Sequence, residues 1–217
     1  YRIISYGVDV LGHPNSQQHP PFIESWVDAP MLSLITAAQA PSETCREWLL
    51  NIESLTERLM QQCTGFRVEV LGQYTNASGV GIAADEMVLV EHRCDESTDL
   101  VIREVVLRGD EQPWVYARSI FPVALTQDAL HELGDQPLGK LLFNDPRFQR
   151  QPFMVSFMLP DDPFVQYLIT QKVISAETLE LHLYKHTGIW ARRSVFTYLE
   201  HHILVNEIFL PGAPAYA

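Results

Sequence analysis

Two charged side chains stand on rows that are otherwise apolar, and these have the most chemistry to offer. In Val101-Ile102-Arg103-Glu104-Val105-Val106-Leu107 the two-residue period of a strand puts Val101, Arg103, Val105 and Leu107 on one face. In the stretch from Ile203 to Leu210 the same period aligns Ile203, Val205, Glu207 and Phe209. A guanidinium cannot shed its proton to escape burial, so a buried Arg103 has to meet an anion. Two outcomes are open. Arg103 and Glu207 neutralise each other as an ion pair, or they line a cavity and divide the ends of a small polar ligand. In the second case the cation takes a carboxylate and the carboxylate takes a hydroxyl.

The elements that would position these groups are readable in outline. From Glu43 to Gln62 the apolar residues Trp48, Ile52, Leu55 and Leu59 recur at helical spacing, and Thr44 with Glu47 forms a capping box. A second box, Ser54 with Glu57, allows either one unbroken helix with Ser54 exposed or a restart at Leu55. A restart would leave backbone N–H groups near Leu55 as a small anion site. A helix from Asp135 to Phe143, with Pro137 near its first position, offers a second cradle around Leu138, to which Lys140 could add charge.

Strands are expected at Phe66–Leu71 and Met87–Val90, in a hairpin joining the Arg103 strand to Trp114–Phe121, and in the alternating Leu179–Tyr184 and Trp190–Leu199. Thr126 would cap a helix ending at Gly134, and another short helix fits Phe164–Lys172. The loop Asn76–Gly81 holds a single Gly-x-Gly, too little for a nucleotide site. His13, His19 and the adjacent pair His201-His202 read as exposed turns, not metal ligands.

At 217 residues the chain is long enough for one well-filled core, read as an irregular arm over 1–42 and a single domain over 43–217. A net charge of −12 argues against nucleic acid and anionic membranes, which makes each well-placed arginine informative. Cys45, Cys63 and Cys94 have no disulfide or zinc spacing, so reduced thiols in a cytoplasmic protein are expected. Met31–Ala40 ends like a signal peptide but lacks a basic start, and no run is long enough to insert in a membrane.

Five segments occur in one order: Val-Ile-Arg103-Glu-Val, Pro113-Trp114…Ala-Arg118-Ser, Pro137-Leu138-Gly139-Lys-Leu-Leu-Phe143, Gly188-Ile-Trp190-Ala-Arg192-Arg193-Ser194, and Asn206-Glu207-Ile-Phe-Leu-Pro211. From about Glu43 to Tyr216 the series resembles bacterial chorismate pyruvate-lyases. The resemblance implies an α+β fold, a mainly antiparallel sheet with helices packed around an enclosed ligand pocket. It implies elimination of pyruvate from chorismate to give 4-hydroxybenzoate, the first committed step of ubiquinone biosynthesis, by a monomer without metal or other cofactor. By the same resemblance Arg103 and the amides of Leu55 and Leu138 hold the ring carboxylate, while Glu207 meets the ring hydroxyl. Arg192 or Arg193 would steady the enolpyruvyl carboxylate or stand exposed at a strand start. A non-catalytic module of the same fold that senses small aromatic acids is the alternative, although the segment before the domain is short, rich in proline and not basic, which counts against it.

Overall fold

The structure is a computed structural model and describes residues 20–23, 25–34, 40–76, 81–90, 99–131, 133 and 136–217. The expectations for His13, His19, Cys94, Gly134 and most of the loop after Asn76 fall outside these residues.

The chain folds as α+β around one antiparallel sheet. Its strands are β1 (Val27–Asp28), β2 (Phe66–Asn76), β3 (Leu100–Gly109), β4 (Gln112–Pro122), β5 (Gln149–Arg150), β6 (Met154–Met158), β7 (Ile189–Tyr198) and β8 (His201–Phe209). Their order is β1-β6-β7-β8-β4-β3-β2, with β5 added alongside β7. The β3–β4 hairpin closes through Asp110 and Glu111, both at positive φ, which matches the right-handed twist of the strands it joins.

Both faces of the sheet are covered. Helices α1 (Glu43–Leu50), α2 (Leu55–Met60) and α4 (Leu138–Asn144) pack on the face that carries Arg103, with Trp48, Leu49, Leu59 and Leu142 in the core. Helices α3 (Ala84–Val90), α5 (Pro163–Thr170) and α6 (Ala176–Leu183) cover the other face. Residues before α1 contribute as well: Val27 and Asp28 pair with Val155 and Met154.

The cap of α1 is Ser42, accepting from the Cys45 amide, and not Thr44, and the helix-or-break question between Glu43 and Gln62 resolves as a break. Asn51 leaves the helical region, and Ser54, 4% exposed, accepts from the Glu57 amide to start α2. Further expectations are corrected. Met87–Val90 belongs to α3, since a four-residue apolar run carries no period of its own and Asp85 and Glu86 supply a helical first turn. Leu179–Tyr184 is not a strand: Ser175 caps α6 through the Thr178 amide, so Leu179 and His182 face inward and Leu181 is exposed. Past Pro122 the chain makes a 3-10 turn over Val123–Gln127 followed by further turns, in place of a helix over Gln127–Leu133. The exposed turn expected at His201-His202 lies instead at Leu199-Glu200, and both histidines begin β8 and are half-buried. No described helix is long and apolar enough to cross a membrane.

Helix α6 is tied to β7 at Gly188, whose carbonyl accepts from Nε2 of His182 at 3.0 Å. A Cβ at Gly188 would lie 2.3 Å from the Met158 carbonyl oxygen. Gly188→Ala should therefore lower stability by about 1–3 kcal/mol, measured as a fall in thermal midpoint. Burial holds His182 below its ordinary value of 6.5, so the unfolded chain takes up that proton first as pH falls. Stability should be complete above pH 6.5 and decline on acidification through and below it. His182→Gln, which keeps an N–H donor, should flatten that part of a pH–denaturation profile.

Candidate active site

Strand pairing decides which side chains meet. One rung across the sheet reads Gln73, Arg103, Ser119, Val205, Ser194, and the next reads Val105, Ala117, Glu207, Arg192, Val155. All these side chains face α1, α2 and α4, because residues opposite one another share a face. Arg103 and Glu207 therefore lie two strands and one rung apart, about 12 Å between backbones from strand geometry.

They do not pair with each other. Arg103, 3% exposed, donates to Gln73 Oε1 at 2.7 Å and, through its other terminal nitrogen, to the Gln136 carbonyl at 3.4 Å, just before α4. Glu207 accepts from Arg192 Nε at 2.6 Å. Arg192, only 1% exposed, also donates through Nη1 to the carbonyls of Trp48, Leu49 and Asn51 at 2.9, 3.4 and 3.0 Å. It thereby satisfies carbonyls at the end of α1 that have no helical partner and brings a cation to the negative end of the helix.

Between this sheet face and the helices lies a pocket with about 620 Å³ of empty space. Arg103, Glu207, Leu55 and Leu138, the four residues singled out in the sequence, all line it. Apolar walls come from Val105, Leu107, Leu142, Phe153 and Phe196, and hydroxyls from Thr56, Ser119 and Ser194. Helices α2 and α4 bring their starts together, with an added Cβ on Gly139 only 3.2 Å from Thr56 Oγ1. Pro137, the residue before α4, gives no side-chain cap to the first-turn amides. Lys140 is exposed and does not line the pocket.

The arginines that sequence reasoning left open are now separated. Arg192 faces the pocket, whereas Arg193, one residue on, points to the opposite face, where it pairs with Asp85 at 2.6 Å and covers the Trp26 ring. Neither is exposed. Arg150 also lines the pocket, a residue the sequence reading missed because it lies in a segment without clear periodicity. The signal was its place between Phe148 and Phe153. Arg150 Nη2 donates to the Ile52 carbonyl at 2.6 Å, and its guanidinium lies over the Phe153 ring at 4.3 Å. Burial, and then repulsion from Arg192, pull its pKa below the ordinary arginine range, with Glu207 acting in the other direction.

The reverse face carries a separate polar system. Arg118 pairs with Glu86 at 2.6 Å, Asn206 donates to the same carboxylate at 3.0 Å, and Tyr116 donates to Glu104 at 2.5 Å. Burial and the neighbouring Glu104 carboxylate push the Tyr116 phenol well above its usual range, so it remains a donor. A smaller cavity of about 350 Å³ opens there between Trp26, Phe164 and Arg118. Among the described residues, no group of three or more His, Cys, Asp or Glu could hold a metal ion.

The Arg192–Glu207 pair joins sheet to helix, so removing one partner strands the other. Arg192→Leu should cost about 3–5 kcal/mol by urea denaturation. Adding Glu207→Leu should recover part of it, a coupling of about 0.5–3 kcal/mol. Strictly additive losses would show that the pair contributes nothing as a unit.

Residues 33–217 match the family model for chorismate lyase. Over 180 residues the chain is 41% identical to a probable chorismate pyruvate-lyase of Pseudoalteromonas atlantica, covering 81% of this chain and 84% of the relative. A probable chorismate pyruvate-lyase of Azoarcus sp. is 34% identical over 200 residues, covering 90% and 95%. Among solved structures, the effector domain of PhnF from Mycobacterium smegmatis aligns with a TM-score of 0.49 and 13% identity, over 74% of this chain and 90% of that domain. With a family match over this length and relatives this close, the chain belongs to the chorismate lyase family.

Proposed function

We propose that the protein is a chorismate pyruvate-lyase, converting chorismate to 4-hydroxybenzoate and pyruvate. The observation that carries this reading is a pocket lined by Arg103 and Glu207 that does not let the two neutralise each other. A cation at one end and a carboxylate at the other match a ring with a carboxylate and a hydroxyl at opposite positions.

Arg103 takes the ring carboxylate, assisted by the first-turn amides of Leu55 and Leu138 at the two converging helix starts. Glu207, as the carboxylate of an ion pair, accepts from the ring hydroxyl and lies beside the carbon that bears it. The reaction breaks the C–H bond at that carbon and the neighbouring ring C–O bond. The C–H electron pair becomes a ring double bond, and the ether oxygen leaves with its own pair as enolpyruvate, which takes up the proton and becomes pyruvate. Aromatisation drives the step. The protein supplies alignment of the diene ring, a dry apolar wall from Val105, Leu107 and Phe153, and in Glu207 a base at the reacting carbon.

The reading extends to a monomeric cytoplasmic enzyme whose product is the ring precursor of ubiquinone. In favour of the cytoplasmic part of this reading, Cys45 and Cys63 are free thiols.

Incubating the purified protein with chorismate should yield 4-hydroxybenzoate and pyruvate in equal amounts. Binding of 4-hydroxybenzoate without either product forming would replace the lyase by a sensor. Arg103→Ala should weaken 4-hydroxybenzoate binding about 30-fold or more, measured calorimetrically. Glu207→Gln should chiefly lower kcat, and an unchanged kcat would reduce Glu207 to a binding role.

A further inference from the structure

The proposed substrate carries a second carboxylate, on the enolpyruvyl arm, that the aromatic product lacks. We infer that Arg150 receives this carboxylate and so distinguishes substrate from product within the pocket. The inference rests on the lyase reading above.

Arg193 lies on the wrong face of β7 and pairs with Asp85. Arg192 faces the pocket, but Glu207 already balances its charge and its Nε and Nη1 are given to that carboxylate and to three backbone carbonyls. Arg150 differs in kind. Among the described residues its guanidinium meets one carbonyl, that of Ile52, and the faces of Phe143 and Phe153, with no carboxylate within ion-pair distance. A half-buried cation against aromatic rings with a single acceptor retains donors for an anion.

Position agrees with the chemistry. Arg150 pairs across to Phe196 on β7, on the same side of the sheet as Arg192 and Glu207. Arg103 sits on β3, four strand spacings away, about 19 Å between backbones. Side chains reaching in from both sides shorten that distance to the scale of a small dicarboxylate. In chorismate the ether arm is attached next to the hydroxyl-bearing carbon and away from the ring carboxylate. A ring held by Arg103, with its hydroxyl at Glu207, can turn about that axis, and one of its two orientations presents the enolpyruvyl carboxylate on the Arg150 side. After elimination the bound aromatic acid has nothing to offer Arg150, and pyruvate takes the contact away with it.

The test compares a dicarboxylate with a monocarboxylate. In Arg150→Gln, KM for chorismate should rise about 10- to 100-fold, while the Kd of 4-hydroxybenzoate stays within about twofold. Arg150→Lys should restore most of the loss. An unchanged 4-hydroxybenzoate Kd also reports that the Ile52 contact was not needed to keep the pocket folded. If both constants rise together, Arg150 is structural and the inference fails; it fails equally if neither moves. If the unmodified protein does not turn chorismate over, the lyase reading falls. Calorimetric Kd values for chorismate and 4-hydroxybenzoate then judge Arg150 by the same ratio.

Discussion

One guanidinium, that of Arg192, holds the two halves of the pocket in register. It rises from β7, bonds to Glu207 on β8, and reaches across to the carbonyls of Trp48, Leu49 and Asn51 where α1 ends. Almost no solvent reaches it, so its desolvation is tolerable only because every one of these acceptors is in place. The break between α1 and α2, and with it the start of α2 at Leu55, depends on that bridge. Arg150 adds a second tie one residue further along, to Ile52. Arg103 does the same at the other side, joining β3 to the backbone just before α4. The pocket wall is a set of helix ends hung from the sheet by arginines.

This arrangement would let a chain of net charge −12 hold the anion proposed for its pocket. The overall field opposes capture, so attraction has to be local and shielded from water, where each charged hydrogen bond is stronger. Cations buried against Val105, Leu107, Phe153 and Phe196 meet that requirement. Glu207 is the balancing carboxylate, fixed by Arg192 and kept apart from Arg103 by two strand spacings and one rung.

Much of the pocket's lining was legible before the fold was known, because a strand of period two makes a misplaced charge conspicuous. Arg103 and Glu207 stood out on that ground, and the Ser54 and Pro137 signals marked the two helix starts. The pattern could not tell an Arg103–Glu207 ion pair from a ligand pocket, since that depends on strand order, which puts β4 between them. Nor could it reveal Arg150, whose strand is two residues long. The helices α3 and α6 were misread for a related reason. Short apolar runs fit both periods, and the deciding information lay in caps and in a sheet that needed covering on its second face.

The same strands carry charge on both sides. Arg103 is followed by Glu104, Arg192 by Arg193, and Asn206 precedes Glu207, with each pair split between the pocket and the reverse network. A single inserted or deleted residue inside β3, β7 or β8 would exchange the two systems, presenting Glu104 or Asn206 to the pocket and burying Arg103 or Glu207 against α3 and α5. Length variation in descendants of this chain is thus confined to the connections. Its strands can drift in composition but not in count.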